Sequence, residues 1–213
     1  MRKSSSSNQV IPVPGQPRIY TYRWASYFLT PFALPSIIGS IYTFFTRTPG
    51  VDIELDDYWA ILVVTSLILL AGLFFWFYAH GVDPDKVWTR FGRIYYKEVR
   101  FDQFDRLDFQ PAFHHTPARY RICYGRTRVR FKPYKSDYSL AILKILEHLP
   151  YRDIRIDGRY PTHKSWHRLA EMERERMYKD LTERFAVYYQ QHPKELAKLQ
   201  ALVSIPLKAT LDQ

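Results

Sequence analysis

His163, His167 and Glu171 are spaced four residues apart near the start of a helical pattern, and imidazole and carboxylate groups so arranged could approach one metal ion. The chemistry depends on where the helix begins. A start at Ser165 leaves His163 outside it, and no further ligand is anchored by pattern, so metal binding is not expected. His114 and His115 sit in a Pro-flanked loop where adjacent imidazoles point apart, which reads as a solvated turn. Cys123 has arginines as its expected neighbours, and these would favour a reactive thiolate. No base is placed near it, however, and the ordinary reading is an inert cysteine on a sheet face. The chain has no Gly-rich phosphate loop and no nucleophile elbow. A single cysteine also excludes an intramolecular disulfide scaffold. These residues point to a non-enzymatic protein with no catalytic residues, no cofactor and no metal.

The elements that would position such groups begin with two charge-free stretches, Trp24 to Thr46 and Tyr58 to Ala79. A hydrocarbon core roughly 30 Å thick takes about 20 apolar residues in a helix, the form that satisfies its own backbone hydrogen bonds there. Both stretches meet that length, and the expectation is a two-span transmembrane hairpin. Tyr20, Tyr22, Trp24 and Tyr27 flank the first, and Tyr58, Trp59, Trp76 and Tyr78 bracket the second, as interfacial aromatic belts do. Pro31 and Pro35 lie inside the first, where each removes a backbone donor and favours a kink or interruption. Ser36, Gly39 and Ser40 offer small surfaces for close packing against Ala71 and Gly72. Neither stretch holds an ionisable residue, which favours an anchor over a transport pathway.

Charge then orients the hairpin. Arg2, Lys3, Arg18 and Arg23 precede it without an acidic residue, whereas the connection carries Arg47 against Asp52, Glu54, Asp56 and Asp57. Lys86, Arg90, Arg93, Lys97 and Arg100 follow the second stretch. Lys and Arg mark the cytoplasmic side, so both termini are expected inside and the acidic loop outside, with the protein in a cell inner (cytoplasmic) membrane. The overall charge of +10 and pI near 9.6 suit a juxtamembrane domain, and no nucleic-acid partner is expected.

Beyond Val82 the pattern changes to short alternating segments, which read as antiparallel strands over Lys86–Phe91, Ile94–Val99, Arg106–Phe109, Arg119–Tyr124 and Thr127–Phe131. Gly125-Arg126 suits a two-residue hairpin turn that sets the register. Tyr120 then meets Phe131, Ile122 meets Val129 and Tyr124 meets Thr127 on an inward apolar face. The other face opposes Arg121 to Arg130 and Arg119 to Lys132, with Arg128 beside Cys123. Like charges directly opposed destabilise a pair. Solvent, acidic side chains such as Asp105 or Asp108, or an anionic partner would offset the repulsion. Arg119, Arg121, Arg128, Arg130 and Lys132 are accordingly candidate lipid or anion contacts, since each basic residue near an anionic leaflet contributes about 1 kcal/mol of attraction.

Ser136 reads as an N-cap and Asp137 as a first-turn acid before Leu140, Ile142, Leu143, Ile145, Leu146 and Leu149, whose helix ends at Pro150. The Gly92-Arg93 hairpin, the segment Phe101 to Phe109, the Arg119 to Phe131 hairpin and this closing helix, all directly after a membrane hairpin, resemble the bacterial membrane-anchored pleckstrin-homology-like (PH-like) families. The resemblance is architectural and covers about Gly81 to Pro150. It implies a small barrel-like β domain that presents surfaces to lipids or peptides and seldom performs chemistry.

Ile154 and Ile156 suggest one further short strand, and Pro161 marks a break. From about Ser165 to Gln190 one long helix carries Trp166, Ala170, Met177, Leu181, Phe185 and Tyr188 along a stripe interrupted by Glu173 and Arg174. Pro193 starts a shorter helix with Leu196, Leu199, Leu202 and Val203 on one face, and Pro206 stops it. Such stripes must be covered by the chain's own domain, a twin copy, the membrane surface or a partner. Protein contact is the preferred expectation, with Trp166, Met177, Leu181, Phe185 and Tyr188 as the partner-binding residues.

Together these readings predict an α+β membrane protein. It comprises a basic cytoplasmic segment (residues 1–22), a transmembrane hairpin (23–80), a PH-like cytosolic domain closed by an amphipathic helix (81–160) and a C-terminal helical extension (161–213). The expected role is a membrane-anchored accessory or scaffold protein that binds a protein partner. The alternatives are a sensor of anionic lipid and a membrane-surface enzyme whose site the sequence does not display.

Overall fold

A computed structural model describes residues 11–46, 55–110, 119–131, 137–152, 154–156 and 163–207. Along the chain run β1 (Arg18–Thr21), α1 (Arg23–Thr46), α2 (Leu55–Phe77), β2 (Tyr78–Val82), β3 (Lys86–Phe91), β4 (Tyr95–Arg100), β5 (Arg106–Gln110), β6 (Arg119–Tyr124) and β7 (Thr127–Phe131). They are followed by α3 (Ser139–His148), a 3-10 turn at Leu149–Tyr151, β8 (Arg155–Ile156), α4 (His163–Arg184), α5 (Ala186–Gln191) and α6 (Pro193–Val203). The strands form two four-stranded sheets, β1-β2-β3-β4 and β7-β6-β5-β8. The fold is α+β. The chain divides into a helix unit, residues 19–81 with 89–96, and a strand and helix unit formed by the remainder.

In the helix unit, α1 packs along α2. The ring contacts Tyr22–Phe75 and Tyr27–Trp76, with centroids 6.2 and 5.3 Å apart, set the start of α1 against the end of α2. The buried Ser26 hydroxyl donates to the Gly72 carbonyl. A Cβ on Gly72 would stand 3.1 Å from Thr30 Oγ1, so a larger residue there would require the Thr30 side chain to yield by a few tenths of an ångström. The small-residue contact therefore joins Gly72 to Ser26 and Thr30. The expected partners Ser36, Gly39 and Ser40 do not make it, and nothing lies within 4 Å of the site a Gly39 Cβ would occupy. Antiparallel geometry is the reason: residues late in α2 meet residues early in α1.

Of the two spans expected from sequence, one is found as a candidate membrane helix. Among the described residues one helical segment, Trp59–Phe77, is long and apolar enough to cross a membrane, and only 11% of its apolar window is buried. Val63, Val64, Leu67 and Leu70 each remain more than half exposed. Helix α1 (Arg23–Thr46) coincides with the first stretch expected from sequence, and its two prolines are unfavourable in a helix interior. It nevertheless runs unbroken through Pro31 and Pro35, since each proline removes a single backbone bond from a 24-residue helix. Helix α2 stops at Phe77, and Tyr78 and Ala79, read from sequence as the end of a span, open β2 instead.

Strands β3, β6 and β7 have the bounds expected from sequence, while β4 and β5 are shifted or extended by one residue. Strands β1 and β2 have no counterpart in the sequence reading. The core gathers Phe101, Phe104, Leu107, Tyr120, Ile122 and Phe131 from the strands and connections with Ile142, Ile145 and Leu146 of α3. Helix α3 begins at Ser139, later than expected, and no cap comes from its N-cap residue Tyr138. Asp137 Oδ1 instead accepts from the Ser139 backbone N–H (3.1 Å) and hydroxyl (2.7 Å). The expected cap Ser136 lies outside the described residues. Ser139 Oγ also accepts the Gly15 N–H at 2.8 Å, and Arg18 lies 3.4 Å from Asp137, so the described residues up to Arg18 belong with α3.

The expected single helix over Ser165 to Gln190 is corrected as well. It is two helices, α4 and α5, broken at Phe185, whose ψ of 30° departs from helical backbone. Helix α4 packs against α3, β8 and α6. The Arg176 guanidinium lies 3.8 Å from the Phe109 ring centroid on β5, and Arg174 donates to the Ile205 carbonyl at 2.6 Å.

Candidate functional site

The β6–β7 pairing has the predicted register: Tyr120 faces Phe131, Arg121 faces Arg130, Ile122 faces Val129, Cys123 faces Arg128 and Tyr124 faces Thr127. Gly125 holds the turn with φ of 54°. Tyr120, Ile122, Val129 and Phe131 are buried, whereas Tyr124 stays exposed at the end of the ladder.

The arginine face is not uniform. Strand β5 places Asp108 opposite Arg121, and Asp108 lies 3.4 Å from both Arg121 and Arg106. All three side chains are less than one-fifth exposed. An acidic neighbour thus offsets the Arg121 charge, one of the three solutions open from sequence. Arg119 is half-buried, while Arg128 and Arg130 on β7, the outer strand of its sheet, are exposed and pair with no acidic side chain among the described residues. Lys132 lies outside the described residues. Cys123 is fully buried, and burial pushes its thiol up despite the opposing pull of the Arg106 contact. The arginines therefore do not activate it.

The C-terminal stripe lies in the chain's own core. Ala170, Met177, Leu181 and Phe185 are at most 3% exposed. Of the partner-binding residues expected from sequence, Met177, Leu181 and Phe185 are covered within this unit, and the Trp166 side chain lies outside the described residues. Among the four described, Tyr188 alone is half-buried at the surface. It lines a cleft of about 250 Å³ with Pro14, Leu143, Tyr189, Leu199 and Leu202, rimmed by Glu147, Glu195 and Lys198. Tyr188 stacks on His192 with ring centroids 4.3 Å apart, and Lys198 reaches Glu195 at 2.8 Å. This volume is below the usual 300–1,000 Å³ of small-molecule sites, so the cleft suits one or two inserted side chains. Leu199 and Leu202 were legible in the sequence as an apolar face. Pro14 carried no such signal, because only folding brings the N-terminal segment there.

Tyr189 sits on the wall of this cleft. Burial, reinforced by Tyr188 and Glu195, pushes its phenol from the ordinary 10.0 up to about 12. A folded-state value above the unfolded one means that stability is fully present below pH about 10 and declines as pH rises to about 12. The loss is roughly 2–3 kcal/mol at 1.36 kcal/mol per decade. Unfolding measured across this range is expected to show the decline, and Tyr189→Phe is expected to remove it. An unchanged pH profile in the variant would contradict the assignment.

Of the metal candidates, His167 Nδ1 lies 3.4 Å from Glu171 Oε1, and His163's side chain and the pair His114-His115 lie outside the described residues. No group of three His, Cys, Asp or Glu side chains is gathered around a common point among the described residues. Comparison of the chain with protein-family models, curated proteins and solved structures gives no match.

Proposed function

We propose that this is a membrane-anchored, non-enzymatic accessory or scaffold protein whose PH-like unit and C-terminal helices engage a protein partner. The observation that carries this reading is the Tyr188 cleft, an apolar depression with charged neighbours left open between α3, α5 and α6 where Ala170, Met177, Leu181 and Phe185 are covered. The exposed apolar surface of α2 supports anchoring, because surface of that kind is costly in water and neutral in lipid. The run of six strands from β2 to β7 followed by α3 is compatible with the PH-like resemblance. Full-length protein extracted in mild detergent is expected to co-purify with a stoichiometric partner, and Leu202→Asp with Tyr188→Ala is expected to release it. Elution of the monomer alone from both wild type and variant would overturn the scaffold reading.

A second reading, contact with anionic lipid, is favoured by the exposure of Arg128 and Arg130 on an outer strand. The whole chain must be tested, because Gly15 and Arg18 bond to the start of α3 and a fragment from Val82 would lack both. In nanodiscs, phosphatidylglycerol is expected to slow amide exchange in Thr127–Phe131 relative to phosphatidylcholine. Equal exchange in both would sink this reading.

A further inference from the structure

The β3–β4 turn, in the helix unit, carries a feature that the scaffold reading does not use. Ile94 is 90% exposed, the largest exposure of any large hydrophobic side chain among the described residues, and Arg93 beside it is exposed too. A solvated turn ordinarily holds polar residues at its tip. The tip is fixed in place: the Gly92 N–H donates to the Phe77 carbonyl at 2.9 Å, and Phe91 contacts Phe74 and Phe77 with ring centroids 5.3 and 6.0 Å apart. Between tip and helix runs a groove of about 580 Å³ with walls of Leu70, Leu73, Phe77, Phe91 and Ile94.

We infer that this groove holds one acyl chain of an anionic phospholipid whose phosphate pairs with Arg93. Two arguments select that occupant. First, the groove is continuous with the candidate span: Leu70, Leu73, Phe74 and Phe77 belong both to its wall and to the last two turns of Trp59–Phe77. A groove at the end of a membrane span lies at the depth where acyl chains meet headgroups. Second, the charge is complementary. The lining is apolar except for Arg93, which pairs with no acidic side chain among the described residues and stands at the mouth, where a phosphate would sit. An aliphatic stem buried in apolar surface with its guanidinium at the headgroups is the usual disposition of an interfacial arginine. The volume lies within the range of built ligand sites. Ile94 then enters the acyl boundary, and the turn becomes a second, shallow membrane contact.

The inference rests on α2 spanning the bilayer, and the experiment separates the two. Spin labels are placed at Ile94→Cys and, in a second protein, at Leu67→Cys of the full chain in phosphatidylglycerol vesicles; Cys123 is buried and stays unlabelled. Both labels are expected to be accessible to oxygen and shielded from an aqueous nickel chelate. A lipid-embedded label at 67 with a water-exposed label at 94 overturns the groove assignment and leaves the span intact. Water exposure at both positions overturns the two together. Arg93→Gln is expected to reduce phosphatidylglycerol retained through purification about fivefold, the equivalent of one basic residue near a membrane, while phosphatidylcholine is unaffected. Equal retention of the two lipids by wild type and variant would remove Arg93 from the site. All three side chains are exposed, so none of the substitutions disturbs a core.

Discussion

Phe131→Ala is expected to lower the stability of the strand and helix unit by about 3–5 kcal/mol, the usual range for deleting a buried aromatic side chain. Phe131 is 2% exposed. Its ring stacks between Tyr120 on the paired strand, with centroids 5.5 Å apart, and Tyr138 at the head of α3, 4.8 Å away. Removing it leaves a cavity where β6, β7 and the head of α3 converge and forfeits both ring contacts. Neither neighbour can refill the space, because each is itself buried and held by its own element. Phe131→Leu keeps most of the volume and is expected to cost about 1–2 kcal/mol. Amide exchange of β6 and α3 in detergent measures both, because these elements open with the unit as a whole. The exposed neighbour Arg130→Ala should stay within about 0.5 kcal/mol. Equal small losses at positions 130 and 131 would show that the inward face has been assigned wrongly.

Asp108→Ala is expected to cost about 3–5 kcal/mol, far more than a surface ion pair, which contributes about 0–1 kcal/mol. Asp108 supplies the negative charge to Arg106 and Arg121, both largely removed from water. The substitution removes the shared counter-charge of two largely covered guanidiniums, leaving Arg106 the attraction of Asp105 and leaving Arg121 with Arg130 opposite it on the next strand. A buried charge stripped of its partner retains its desolvation cost, and that asymmetry sets the magnitude. Asp108→Asn, which keeps shape and loses charge, should fall between wild type and Asp108→Ala. A double-mutant cycle with Arg121→Met isolates the pairwise contribution. Full additivity in that cycle would show that Arg121 finds its compensation elsewhere.

The two largest effects rest on elements of different legibility. The β6–β7 hairpin and the buried ring of Phe131 could be read from Gly125-Arg126 and the alternation around it, because a two-residue turn and a period of two determine register locally. Asp108 could only be one of several options. Its pairing follows from β5 lying beside β6, a contact across 13 residues and a loop that no local pattern specifies.

The same distinction explains the errors. Strand β2 continues directly from α2, and Tyr78 and Ala79 extend the apolar run of the helix, so the sequence places the change at His80-Gly81, two residues late. Strand β1 has four residues, too few for a periodicity to emerge. The break at Phe185 has no proline or glycine to announce it. Equating Ser36, Gly39 and Ser40 with the packing surface followed composition, whereas the antiparallel arrangement of α1 and α2 brought Ser26 and Thr30 to Gly72.

Sequence by itself determined that α2 is apolar and long enough to seek a membrane, that Arg121 opposes Arg130 and that an apolar stripe on the C-terminal helices needs a cover. Each follows from spacing along one short segment. Only the tertiary structure decided that Met177, Leu181 and Phe185 are covered by the chain itself, that Tyr188 remains at an open cleft and that Ile94 stands beside the end of α2. These depend on which distant segments meet, because burial is a property of the neighbours a side chain acquires on folding, and residue type states only that neighbours are needed.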